Sequence, residues 1–159
     1  GATPVGMPVP AIPEGLSKGV IDGTTIPWEV TPSLKVPELV KNHTEFDGAA
    51  LYTLTFVLAM NKDRYDGLSD ELKKVLDDNS GLEFSVFAGG TQADADGPAR
   101  QVAVDLGNNV IELNEEETRV WRDASQPIYD SWIADMDSKG IDGQALIDEA
   151  RELMDAYGK

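Results

Sequence analysis

The chain has 159 residues, enough for one ordinary domain with a hydrophobic core, and 41% hydrophobic residues fit a globular rather than a disordered chain. Lys and Arg number 13 against 29 Asp and Glu, a formal net charge of -16. Such a surface repels nucleic acid and anionic membranes, and an anionic ligand would need a local positive site. The absence of cysteine excludes disulfides, thiolate metal sites and cysteine nucleophiles, and a single histidine, His43, argues against a His-rich metal site or a Ser-His triad. No apolar run reaches the roughly 18 residues of a membrane span. The first residue is Gly, and the opening residues already read as mid-domain material, so the expectation is a fragment of a longer protein.

Residues 3–8 are extended by necessity, because the residues before Pro4 and Pro8 are pushed away from helix. Pro10 and Pro13 fit the first turn of a short helix with Leu16 buried and Gly19 as its stop. Residues 20–26 read as a strand, so strand, short helix and strand suggest a βαβ unit with a right-handed crossover. Two strands cannot bury a parallel sheet alone, and their neighbours are expected upstream of residue 1 or later in the chain. Residues 29–40, punctuated by Pro32 and Pro37, read as short helical turns, residues 41–46 as a strand, and Asp47-Gly48 as a turn.

Residues 51–60 are the clearest strand. Tyr52, Leu54, Phe56, Leu58 and Met60 make a large face and Leu51, Thr53, Thr55, Val57 and Ala59 a small one. Neither is charged, which predicts cover on both sides. Ser69 is an N-cap, with Asp70 and Glu71 in the first turn. The helical phase of Leu68, Leu72, Val75 and Leu76 continues through Val86 and Phe87, predicting one long helix from about 69 to about 95, broken or kinked at Gly97-Pro98. Residues 110–113 form a short strand. Asn114 and Glu117 have capping-box spacing, and Val120, Trp121 and Ala124 form the buried face of a helix that Pro127 interrupts and Gly140 ends. Asp142 caps the last helix.

The stretch 20–29 concentrates the candidate chemistry. An apolar run ends in Asp22-Gly23, then come Thr24, Thr25, Ile26, Pro27, Trp28 and Glu29. Strand ends in α/β proteins are where ligands are held, while Asp-Gly alone is equally an ordinary turn. Trp28 follows a proline, where its ring can face a cleft as a platform; Glu29 could accept a ligand hydroxyl, hold a cation or face solvent. Tyr52 is a further candidate. Paired acids such as Asp94 and Asp96 read as solvated faces, Trp121 and Trp132 as packing residues, and His43 as structural. No EF-hand ladder, phosphate loop or nucleophile elbow is present, and nothing assembles nucleophile, base and oxyanion site, so catalytic residues, metal ligands and cofactors are all expected to be absent.

Residues 1–8 (Gly-Ala-Thr-Pro-Val-Gly-Met-Pro), Leu16, residues 18–23 (Lys-Gly-Val-Ile-Asp-Gly) and Pro27 resemble the solute-binding subunit of TRAP (tripartite ATP-independent periplasmic) transporters, the DctP family. Residues 51–60 followed by Asn61, Lys62, Tyr65, Leu68 and Ser69 are similar to the family's apolar strand and long helix. The resemblance implies an α/β fold, a periplasmic-binding-protein-like (type II) lobe with crossing strands and a long helix. The chain, 1–159, would be the C-terminal portion of a two-lobed protein, with parts of both lobes. It further implies a periplasmic protein, not an enzyme, that captures a small organic acid and delivers it to membrane permease subunits driven by an ion gradient. The alternative is an α/β enzyme or ligand-sensing domain reusing the lobe.

The family's ligand-gripping arginine lies before the Gly-Ala stretch, which implies that the isolated chain binds anions weakly. The family's ligand-packing aromatic corresponds to Val9, its Ser-Glu-Val-Tyr to residues 10–13 (Pro-Ala-Ile-Pro), and its Gln-Glu-Asn to Thr24, Thr25 and Ile26. These departures imply a more apolar pocket, for an aromatic or branched monocarboxylate or keto acid, with Trp28 and Glu29 facing a cleft that Thr25, Ile26 and Val9 line.

Overall fold

The computed structural model describes residues 1–46, 48 and 50–157. These residues fall into two units, one of 1–45 and 52–111, the other of 46–51 and 112–159. Asp47, half of the expected Asp47-Gly48 turn, lies outside the described residues.

In the first unit, proline supplies the helix starts. A single 3-10 turn, Val9–Ala11, carries Pro10 in its first turn and leads into α1, Ile12–Ser17, with Pro13 in its own. Gly19 stops α1 in the left-handed region at φ 65°. Ile12 and Gly15 are the buried residues of α1, and Leu16 is only half-buried. Gly15 is closely covered: a Cβ there would meet Ile21 Cγ1 at 3.2 Å and Met7 Cε at 3.5 Å. Gly15 therefore lets α1 sit directly on the segments that precede and follow it.

A second 3-10 turn, Trp28–Val30, follows Pro27, and α2, Val36–Leu39, follows a left-handed Lys35. Strand β1 spans Asn42–Phe46 and β2 spans Asn109–Leu113, and the two form a two-stranded sheet. The start of β2 is tied to the start of β1 by the Asn109 N–H donating to Lys41 C=O at 2.8 Å. The chain leaves the first unit along β1 after residue 45 and along β2 after residue 111.

Two expected strands do not form. Residues 20–26 are irregular with a bend at Asp22, and residues 51–60 are irregular as well. A strand exists only through its ladder, and neither segment finds a partner among the described residues, whatever its β propensity. Cover on both faces of 51–60 is likewise not found there: Phe56, Val57 and Leu58 are 67%, 82% and 88% exposed.

The long helix expected from about 69 to about 95 is two helices, with a short one ahead of them. After α3, Lys62–Asp66, come α4, Asp70–Asp78, and α5, Leu82–Asp105. Ser69 caps α4 by accepting from Leu72 N–H. The break falls at Gly81, whose φ of 81° and ψ of -151° lie where essentially only glycine goes. Helical phase alone does not register a residue that leaves the helical region. The break expected at Gly97-Pro98 is absent, and α5 runs through Pro98. An interior proline costs about 3 kcal/mol. Here the helix is anchored on both sides of it, by Asp96 to Glu29 N–H and by Arg100 to Glu45. Between these anchors Ala99 and Ala103 are buried, Ala103 completely.

The second unit is built on α6, Glu115–Ser138, and α7, Gly143–Tyr157. Asn114 and Glu117 form the expected capping box, each side chain bonding the other's backbone N–H at 3.0 Å. Pro127 does not interrupt α6. Side-chain bonds from Ser125 to Trp121 C=O and from Gln126 to Asp130 support the turns on either side. The face expected to be buried is exposed at Val120, Trp121 and Ala124, and Trp132 is also exposed. Trp121 still meets Phe46 edge-on at 5.6 Å.

What α6 does cover is the approach of α7. Gly140 turns the chain at φ 76°, and Asp142 caps α7 by accepting from Ala145 N–H at 2.9 Å. A Cβ on Gly143 would lie 3.0 Å from Ile133 Cα and Met136 Cβ. Gly143→Ala should therefore destabilise this unit by about 1–3 kcal/mol, the usual cost of overpacking, read as a lower thermal midpoint. An unchanged midpoint would show that the two helices are free to separate.

Candidate functional site

A group of polar residues of the first unit, His43, Glu45, Asp96 and Arg100, gathers around the Trp28–Val30 turn. Alternation along β1 places His43 and Glu45 on one face of the strand, and both are half-buried. Helical spacing on α5 places Asp96, Ala99, Arg100 and Ala103 on one side. The two alanines have no bulk to hold the Trp28–Val30 turn away. Asp96 Oδ1 accepts from Glu29 N–H at 3.0 Å, satisfying an N–H at the start of that turn. Thr31, buried, donates its hydroxyl to Trp28 C=O at 2.8 Å and ends the same turn.

Glu45 sits at the centre. Its carboxylate accepts from Arg100 Nε at 2.8 and 3.0 Å and from Arg100 Nη2 at 2.9 Å. It also accepts from the Trp28 indole Nε1–H at 2.9 Å. The side chains of Arg100 and Glu45 are 35% and 23% exposed, so this is a partly desolvated, forked pair rather than a surface one. The Trp28 ring lies 5.0 Å from the His43 ring at 31°. One face of the indole is thus backed and its only donor is committed.

His43 is fixed in turn. Asn108 Nδ2 donates to Pro37 C=O at 2.6 Å and lies 3.1 Å from His43 Nε2. An amide nitrogen has no lone pair to offer, so Nε2 accepts and the imidazole proton sits on Nδ1. Lys41 Nζ, 3.3 Å from Asn108 Oδ1, supports the same amide orientation.

Burial lowers the His43 pKa below its ordinary value, only partly opposed by the Glu45 charge. The folded form therefore prefers a neutral ring. The associated stability is fully present above the ordinary imidazole pKa and is lost as pH falls through the lowered one. Acidifying from pH 7 towards 5 should lower the melting temperature more for the native chain than for His43→Phe, which keeps a ring beside Trp28 but cannot titrate. Parallel acid curves for the two would contradict this.

The sequence-expected residues distribute unevenly. Trp28 is half-buried at the cluster's centre, and Glu29 is half-buried beside it, held through its backbone. Ile26 is half-buried just ahead of Pro27, and Thr25 is exposed. Val9, in the first 3-10 turn, is 46% exposed, and Tyr52 is 42% exposed. Among the described residues no hydrogen bond or ring contact joins Val9, Thr25 or Tyr52 to Trp28. Asp96, expected on a solvated face, is instead a backbone anchor. Glu45, Arg100 and Asn108 were not anticipated. The period-2 pairing of His43 with Glu45 and the i, i+4 pairing of Asp96 with Arg100 are the signals that could have found the first two, and no local signal marks Asn108. Among the described residues no group of three or more His, Cys, Asp or Glu is placed to hold a metal ion, and no helix is long and apolar enough to cross a membrane.

Residues 1–135 match the model of the bacterial extracellular solute-binding proteins, family 7, DctP. A TRAP solute-binding protein from Rhodoferax ferrireducens, solved with copurified benzoate, superposes with a TM-score of 0.94 at 46% identity over 99% of this chain and 50% of its own. A marine metagenome TRAP solute-binding protein specific for aromatic acid ligands, solved with 3-hydroxybenzoate, gives 0.93 at 44% identity over 100% of this chain and 50% of its own. The C4-dicarboxylate-binding periplasmic protein DctP of Rhodobacter capsulatus is 28% identical over 131 residues, 82% of this chain and 38% of that protein. The chain thus spans half or less of the length of these relatives, and its α/β fold corresponds to part of a TRAP periplasmic binding protein. The chain belongs to the DctP family of bacterial extracellular solute-binding proteins.

Proposed function

We propose that this chain is the C-terminal portion, with parts of both lobes, of a periplasmic solute-binding protein that captures an aromatic carboxylate and passes it to TRAP membrane permease subunits without chemical change. The observation that carries the reading is the Trp28 ring, half-buried, backed by His43 and held by Glu45, two residues after an isoleucine. Trp28, Ile26 and Val9 would form the apolar wall for the ligand ring, with Thr25, Glu29 and Tyr52 at its margin. Over the aligned half of their chains, the relatives solved with benzoate and 3-hydroxybenzoate are 46% and 44% identical to this chain, against 28% for the C4-dicarboxylate protein, which supports an aromatic over a dicarboxylate ligand.

The rest of the longer protein would supply the positive group that a chain of net charge -16 does not readily offer, and strands to pair with residues 51–60. Ligand binding would then favour the closed arrangement of two lobes by its higher affinity for that state.

A thermal-shift screen of the full-length protein tests this. Benzoate, 3-hydroxybenzoate or mandelate at 100 times its Kd should stabilise it by about 2.7 kcal/mol. Stabilisation by succinate and malate alone would overturn the reading.

A further inference from the structure

We propose that Glu45 is a positioning residue that sets the plane of Trp28 and thereby selects ligands carrying a flat ring; this rests on the aromatic-carboxylate reading above. A tryptophan beside a ligand can act as a hydrogen-bond donor, as an apolar wall or as a flat platform. Here the first role is closed, because the indole Nε1–H is given to Glu45 Oε1 at 2.9 Å. The ring is restrained by two groups of β1, Glu45 at its nitrogen and His43 with ring centroids 5.0 Å apart, and the backbone that carries it is held by the Thr31 hydroxyl donating to Trp28 C=O. Glu45 is itself fixed by three close approaches of Arg100 from α5. A ring immobilised before binding loses no rotamer freedom when a ligand stacks on it, and that saving is specific to ligands that stack.

The arrangement also removes an electrostatic objection. An unpaired carboxylate beside the platform would repel an anionic ligand, whereas the guanidinium of Arg100 faces Glu45 at 2.8 Å and neutralises it. Glu45 is therefore able to orient the platform without acting on the ligand's charge. Its role is selection between ring-bearing and aliphatic acids rather than general anion affinity.

The test is a pair of calorimetric titrations of the full-length protein, with benzoate and with isobutyrate, together with the indole region of a proton–nitrogen NMR spectrum. Glu45→Leu should weaken benzoate about tenfold and isobutyrate less than about twofold. Glu45→Gln, whose amide oxygen can still accept the indole proton, should restore benzoate binding to within about threefold of the native value. The Trp28 indole resonance, assigned by its loss in Trp28→Phe, should shift when benzoate is added to the unaltered protein, a readout that does not depend on Glu45→Leu folding. Equal loss of benzoate and isobutyrate, or benzoate binding with an unmoved Trp28 resonance, would overturn the proposal while leaving the aromatic-acid reading standing. Absence of binding by any aromatic acid would overturn both.

Discussion

Ala103→Leu should be among the most damaging single substitutions in the first unit, lowering its stability by about 3 kcal/mol or somewhat less. Ala103 has no exposed surface and lies one turn beyond Arg100, on the side of α5 that receives the Trp28–Val30 turn. Three added carbons have no void to enter, so either the helix moves away or the turn does. Movement of the turn would also stretch the Asp96 bond to Glu29 and the Glu45 bond to Trp28, so the cost exceeds that of the local clash. Urea unfolding followed by Trp fluorescence reads the effect as a lower midpoint with an unchanged slope. An unchanged midpoint would mean that α5 is not seated on the turn.

Arg100→Met should cost about 2 kcal/mol. It leaves Glu45, 23% exposed, without its cation while the methionine fills much of the arginine's volume. Removing one partner of a fully buried pair costs about 3–5 kcal/mol, and partial exposure of both groups here reduces that. Adding Glu45→Gln should return about half of the loss, because the remaining amide carries no charge to strand. A double-mutant cycle should therefore give a coupling of about 1–2 kcal/mol. Strict additivity would show that solvent already screens the pair.

Local signals in the sequence survive in the structure where they depend on neighbours a few residues away. The caps at Ser69, Asn114 and Asp142, the stop at Gly19 and the proline-started helices all follow from single residues and their own backbone. The extent of α5 did not follow, because a glycine at φ 81° and anchors contributed by residues 29 and 45 decide it. Residues 51–60 carry strong strand character, yet a ladder needs a partner, and none lies among the described residues. Part of the candidate site was legible for the same reason that part was not. Trp28 and Glu29 stand out after a proline at the end of an apolar run. Glu45 and Arg100, which hold Trp28, lie 17 and 72 positions further along the sequence and meet only when β1 and α5 pack around the turn.

The most direct test of the account is a crystal structure of the full-length protein with benzoate bound. The benzoate ring should be stacked on the exposed part of the Trp28 indole within about 4 Å, in contact with Ile26, with the Trp28 to Glu45 hydrogen bond intact. Benzoate held with no contact to Trp28 or Ile26 would contradict it.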